Sequence, residues 1–215
     1  MKVLVTCGPS YEPIDEARRI TNFSTGWLGI ALSNTFTDHG WKVTCLKGEQ
    51  ATCPAELRAQ RHLPFSTNAD LADKVSTLAA EGGWDAVLHA AALCDFQVAG
   101  VTNEQGETLH SPKFSSRTGR LNLALVPATK VLPRLRDWFP SARIVGWKYE
   151  LAGTRADAFT KAHAQLAECR TDACVLNGAA YGSGFAFCTQ SSVHTCADTD
   201  ALAAWLERWL ASATR

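Results

Sequence analysis

The chain has 215 residues, 46% of them hydrophobic and 20% charged, which excludes a disordered protein and provides for one well-buried globular core. Lysine plus arginine equals aspartate plus glutamate at 21 each, so the net charge of zero gives no electrostatic case for a nucleic-acid or membrane-surface partner. The first apolar run stops at Cys7, too short for a signal-peptide core, and no later run is long enough to span a bilayer, so a cytoplasmic protein is the default expectation.

In chain order, the apolar run 2–7 reads as a strand that empties into the turn Gly8-Pro9-Ser10. A polar excursion follows before a helical pattern opens at 26 and runs to 39, with Gly40 as its stop. Strands are expected at 42–47 and near 60–64, then a helix at 68–80 with Asn68 as N-cap, and a strand at 85–90. Residues 93–120 carry no periodic pattern, a length that points to function or mobility. Beyond them come a strand near 120–126, a helix near 128–138, a strand at 142–147 and a helix at 154–168 capped by Thr154. A strand at 172–177, a hairpin across 184–196 and a helix at 198–211 complete the chain; Trp205 and Trp209 lie one turn apart on the last helix, as a docked face would require. The eight cysteines form no C-x-x-C pair and no Cys/His cluster at zinc spacing, so packing is their expected role. This alternation predicts an α/β, Rossmann-like three-layer fold with a mostly parallel sheet, a long loop insertion at about 93–120 and a C-terminal hairpin. No linker or repeat divides it, so 1–215 reads as a single domain.

Ligands in open α/β sheets bind beyond the carboxyl ends of the strands, which gathers the turns after residues 7, 90, 147 and 177 around one cleft. Strand, glycine turn and delayed helix N-terminus make an anion site at Gly8, with hydroxyl donors at Ser10, Ser24 and Thr25; the bland alternative is a surface turn. The run Thr25-Gly26-Trp27-Leu28-Gly29-Ile30-Ala31 looks like a nicotinamide-type glycine turn, but residues 8–25 intervene and no Tyr-x-x-x-Lys pair occurs, which weighs against hydride transfer. Asp95 would either hold a divalent cation beside phosphates or cap its turn. Lys113 would either close over a triphosphate or face water, and Trp147 would either stack on a base or lid the core. His89, inside a strand, reads as a core or supporting residue rather than a base.

Taken in order, these motifs resemble the phosphopantothenoylcysteine synthetase family, the ligases of coenzyme A biosynthesis, over nearly the whole chain. The most specific part is Gly8-Pro9-Ser10-Tyr11-Glu12-Pro13-Ile14-Asp15 with Arg18, Ile20, Asn22, Ser24 and Gly26. Ala90-Ala91-Ala92 with Asp95-Phe96, Lys113, Val126-Pro127, Gly146-Trp147-Lys148-Tyr149-Glu150, Asn177 and Gly184-Phe185 add to it. The resemblance implies that a nucleoside triphosphate activates the carboxylate of 4'-phosphopantothenate as an acyl-nucleotidyl anhydride, which the amine of cysteine then attacks. By the same resemblance Asn22 holds the acyl intermediate and Lys113 binds the triphosphate. Gly8, Ser10, Ser24, Thr25, Gly26, Ala91, Asp95, Trp147 and Lys148 contact nucleotide or phosphate, with Asp95 near the magnesium-nucleotide, and Arg18 and Asn177 contact substrate. Magnesium with CTP or ATP, a homodimer and no flavin are also implied. The chain departs from the family pattern at Ser115, Ser116, Gln165 and Cys169, where basic residues are usual, and at Gly178, where the family has aspartate. Two rivals stand beside the ligase: an NAD(P)-dependent oxidoreductase, and a non-catalytic nucleotide-binding descendant of the ligase.

Overall fold

The computed structural model describes residues 1–212. Strand β1 (Lys2–Cys7) is followed by the short strands β2 (Tyr11–Pro13) and β3 (Arg19–Thr21), then helix α1 (Trp27–Asp38), β4 (Lys42–Gly48), β5 (Arg61–Phe65) and α2 (Asn68–Ala80). Next come β6 (Ala86–His89), β7 (Phe96–Thr102), β8 (Asn122–Pro127), the one-turn helix α3 (Leu135–Trp138) and β9 (Arg143–Tyr149). Helix α4 (Arg155–Cys169), β10 (Ala173–Gly178), β11 (Gly182–Cys188), β12 (Val193–Cys196) and α5 (Thr199–Ala211) close the described chain.

Eight strands form one sheet in the order β12-β11-β10-β9-β6-β1-β4-β5. The strands β1, β4, β5, β6, β9 and β10 run parallel, and β11 and β12 add an antiparallel edge. Strand residues alternate between two helical layers, as a period of two requires. Val3, Val5 and Cys7 pack under α1 and α5 with Ile30, Phe36 and Leu202, whereas Leu4, Val87 and Ile144 meet Leu71, Val75 and Leu135 of α2 and α3. Helix α4 covers β10 and β11 through Ala158, Ala162 and Leu166. The α/β three-layer expectation and the terminal hairpin hold. Trp205 and Trp209 dock on Phe187 with ring centroids 6.2 and 4.9 Å away. All eight cysteines are buried free thiols, and burial pushes Cys188 up to about 11. Among the described residues no helix is long and apolar enough to cross a membrane.

Four local expectations need correction. The polar excursion after β1 is ordered as the antiparallel β2–β3 pair. Its loop is locked by Asp15, whose carboxylate accepts the amides of Ala17 (2.9 Å) and Arg18 (2.8 Å) and pairs with the Arg18 guanidinium. The supposedly irregular 93–120 segment contains β7, which pairs with β8 in a separate two-stranded ribbon. The helix anticipated near 128–138 shrinks to a 3-10 turn, Leu132–Arg134, and α3. Upstream, the Ala128 amide is held by the Asp95 carbonyl (2.9 Å) and the Thr129 carbonyl by Asn68 (2.9 Å), so this stretch cannot coil. Finally, α2 is capped by Thr67, which accepts from the Asp70 amide, and not by Asn68.

Candidate active site

The chain changes direction across the sheet between β1 and β6, and at that switch point their carboxyl ends are joined beyond the strands themselves. The Ala92 amide donates to the Gly8 carbonyl (3.0 Å), while the Ala92 carbonyl accepts from the Ser10 amide (3.2 Å) and from Asn22 Nδ2 (3.1 Å). The β2–β3 excursion then brings the chain back: a Cβ on Gly26 would lie 3.3 Å from Gly8 Cα and 3.0 Å from Ala51 Cβ. Both glycines hold φ of +79°, open to glycine at little cost. Helix α1 therefore starts beside β1 despite the eighteen intervening residues 8–25, which revises the displacement inferred from spacing. Gly26 gives α1 no side-chain cap and its first turn holds no acidic residue, so the positive end of the helix dipole stays uncompensated.

A cavity of about 590 Å³ opens beyond β6 and β9, between the 130–133 turn and α4. That volume suits a nucleotide-sized ligand. It brings together Ala91, Asp95, Trp147 and Lys148, and adds Lys130, Lys161, Gln165 and Cys169. Asp95 pairs with Lys130, both well exposed. Glu150 lies between Lys161 (2.5 Å) and Lys148 (3.5 Å). Burial by itself would raise the Glu150 carboxyl, but the Lys161 hydrogen bond and the charges of Lys148 and Lys161 outweigh it and hold the group below its usual range. His89 also reaches the cavity; Nδ1 meets Thr6 Oγ1 at 2.8 Å, and burial lowers the ring to about 4, so it is neutral at physiological pH.

The other expected site residues lie outside the cavity wall. Asn22 is exposed on the Gly8–Ala92 junction, with Ser24 and Thr25 following it. Thr25 Oγ1 accepts from the Trp27 amide at 3.3 Å. Ser10 is fully buried; its hydroxyl donates to Asn68 Oδ1 (2.6 Å) and accepts from the Cys94 amide (2.9 Å), which leaves it a support for the turn. Arg18 is occupied by Asp15 and by the Phe114 carbonyl (2.7 Å). Lys113 is exposed on a segment fixed on both sides, through Pro112 to Glu16 (2.9 Å) and through Phe114 to Asp15 (3.2 Å). Asn177 is the penultimate residue of β10, and its carbonyl accepts from the Glu150 amide at 2.9 Å. Gly178 has φ of +111° and an added Cβ would lie 2.4 Å from the Glu150 carbonyl oxygen, so this backbone excludes the aspartate of the family pattern.

Asn68 is the residue that sequence reasoning misassigned. Buried at the base of the site, it takes the Ser10 hydroxyl and donates to the carbonyls of Cys94 (2.8 Å) and Thr129 (2.9 Å). The spacing Thr67-x-x-Asp70, a helix-start signature, would have moved the cap to Thr67 and freed Asn68 for this role.

Comparison with known proteins places this geometry in a family. The bifunctional coenzyme A biosynthesis protein CoaBC of Thermococcus kodakarensis is 28% identical over 179 residues, which are 82% of this chain and 41% of that protein. The chain thus spans less than half the length of this curated relative. The DNA/pantothenate metabolism flavoprotein of Streptococcus pneumoniae has a similar fold, with a TM-score of 0.88 at 22% identity and 99% of each chain covered. A histidine-to-alanine variant of Cab2 in complex with phosphopantothenate-cysteine gives a TM-score of 0.72 at 19% identity, covering 100% of this chain and 89% of that one. The family described as DNA/pantothenate metabolism flavoprotein C-terminal domain matches residues 1–207, and the chain belongs to that family.

Proposed function

We propose that this chain is a phosphopantothenate–cysteine ligase-like domain of coenzyme A biosynthesis, working in the cytoplasm on small-molecule substrates. The observation that carries the reading is the cavity at the sheet's carboxyl edge, where Ala91 and Asp95 meet Trp147 and Lys148 next to the loop bearing Asn22. Family membership supports it, as does the fold shared with a protein complexed with phosphopantothenate-cysteine.

The chemistry needs alignment and charge neutralisation more than a protein nucleophile, because a carboxylate becomes an acyl donor once its oxygen joins a good leaving group. CTP or ATP would occupy the cavity beside Trp147. The substrate carboxylate would attack the nucleotide's α-phosphorus and expel pyrophosphate, and the amine of cysteine would then displace the nucleoside monophosphate. Asn22, with one amide hydrogen on the Ala92 carbonyl, would hold the acyl group. The backbone at Gly8 and Gly26, with the Ser24 and Thr25 hydroxyls, would cradle phosphate oxygens at the open end of α1. Lys130 and Lys161, outside the family's basic positions, bring ammonium groups to the same cavity, each beside a carboxylate, Asp95 and Glu150. Asp95 suits magnesium, an ion that takes one or two carboxylates plus substrate phosphates and would neutralise the departing pyrophosphate.

A homodimer forms part of the reading. Every residue of β8 is exposed, including Leu123, Leu125 and Val126, and Phe96 stands exposed on β7. An isolated ribbon is weak alone, and an apolar one invites a second copy. Such pairing would let Lys113, on the segment between β7 and β8, serve the partner's triphosphate. The experiment is pyrophosphate release from CTP and from ATP with phosphopantothenate and magnesium, followed by cysteine addition. Release with amide formation is expected; absence of pyrophosphate with both nucleotides would refute the ligase, and nucleotide binding without release would favour the non-catalytic descendant.

A further inference from the structure

The opposite edge of the sheet, where its parallel strands begin, carries a second cavity of about 440 Å³. Arg143 at the start of β9, Thr171 and Asp172 before β10, Ser191 and Ser192 in the β11–β12 turn, and Trp209 near the end of α5 line it. The cavity beyond β6 and β9 shares none of these residues, so the ligase reading makes no use of them. Segments distant in sequence meet here because β9, β10 and β11 lie side by side, with Ala173 paired to Val145 and Cys188 to Cys174.

Two of these side chains are held in place and left unsatisfied. The Arg143 guanidinium lies on the Trp209 ring, 4.1 Å from its centroid, and gives one N–H to the Trp209 carbonyl (2.5 Å). Ring and carbonyl fix the fork, yet among the described residues no carboxylate pairs with it. Asp172, the acid of the wall, is engaged elsewhere: its Oδ2 accepts from Arg136 (2.6 Å) and from the Ile144 amide (2.7 Å). Arg136 neutralises it, and the cavity keeps the charge of Arg143. Thr171 is 5% exposed, and its hydroxyl has no hydrogen-bond partner among the described residues. Buried hydroxyls are normally satisfied, so one orphaned in a cavity wall calls for a group that enters the cavity. Thr189 Oγ1 accepts the amides of Ser191 (3.3 Å) and Ser192 (3.0 Å), which fixes the turn and leaves the Ser191 hydroxyl free to bond.

We propose that this cavity binds a phosphoryl group, either as the free ion or as the monoester of a small polar metabolite. A guanidinium fork takes two oxygens of a tetrahedral oxyanion, and the remaining oxygens then meet the hydroxyls of Thr171 and Ser191. A planar carboxylate has no oxygen left once the fork is filled, so those hydroxyls would stay unmatched. Arg143 and Phe187 already occupy the Trp209 ring, which is therefore not left to stack on a nucleobase.

The test is an amide NMR titration of the full chain with inorganic phosphate, glycerol 3-phosphate and acetate. Phosphate should move the signals of Thr171, Ser191 and Ser192 with a Kd of about 1 mM, and acetate should bind at least ~10-fold more weakly. Tighter binding of glycerol 3-phosphate than of phosphate would assign the site to an ester, and the reverse to the free ion. Arg143→Gln should weaken phosphate ~10-fold or more at those signals and leave any response of the Gly8 turn as in the wild type. Should loss of the Trp209 contact unfold that variant, Thr171→Val keeps the shape and removes only an unpaired hydroxyl; it should fold and weaken phosphate ~5-fold. Cavity signals that stay still at about 50 mM phosphate, an equal response to acetate, or an unchanged midpoint in either variant would overturn the assignment. The readout is local to this edge, so each of these results leaves the ligase reading where it stands.

Discussion

Asn68→Ala would strand three groups at once: the Ser10 hydroxyl, the Cys94 carbonyl and the Thr129 carbonyl, which the amide now ties together. Leaving such buried groups unpaired should lower stability by about 2–4 kcal/mol in urea unfolding, and a loss under ~1 kcal/mol would contradict the role. His89 makes stability depend on pH. The ring is neutral in both states above its ordinary value of 6.5, but below it the unfolded chain binds a proton that the native site refuses until about pH 4. Stability should therefore fall by on the order of 3 kcal/mol between those values, and His89→Asn should remove this component; parallel pH profiles for the two proteins would refute it. At Asn22, Asn22→Asp would set a carboxylate against the Ala92 carbonyl that the amide now meets at 3.1 Å. Nucleotide binding should stay within about threefold while turnover falls at least ~10-fold, and unchanged turnover would dismiss Asn22 from the reaction.

At the scale of elements, legibility followed the source of the stabilising contacts. β1, β4, β6 and β10 are almost entirely buried, so their apolar runs announced them; Thr154 announced α4 through a full capping box with Asp157. What stayed hidden depends on partners distant in sequence. The β2–β3 pair is held by Asp15 and Arg18 against Phe114, and the 128–130 stretch by Asp95 and Asn68, contacts that no periodicity encodes. The ribbon is a different case: the apolar side chains of Leu123 and Leu125 on β8 face solvent, so the pattern had no core to point to. If they face a second copy, Leu123→Glu combined with Leu125→Glu should convert dimer to folded monomer in sedimentation velocity. Wild-type protein that is monomeric at tens of micromolar would contradict the pairing.

For the molecule as a whole, the sheet's switch point decides where the candidate site lies. The loops after β1 and β6 interlock at Ala92, the β6 and β9 ends form the cavity floor, and α4 and the 130–133 turn wall it. Sequence motifs identified Ala91, Asp95, Trp147 and Lys148 as neighbours, yet the cations around them, Lys130 and Lys161, come from positions the motif does not contain. A one-dimensional alignment counts Gln165 and Cys169 as lost charge, whereas the fold brings Lys130 and Lys161 to the same cavity, each paired with a carboxylate. The central claim is that the substrate carboxylate becomes an acyl-nucleotidyl anhydride at this edge. Phosphopantothenate labelled with oxygen-18 in its carboxylate tests it by mass spectrometry of the products formed with cysteine and the preferred nucleotide. One labelled oxygen in the nucleoside monophosphate is the predicted result; label found only in phosphate or pyrophosphate, or retained in full by the acid, would contradict it.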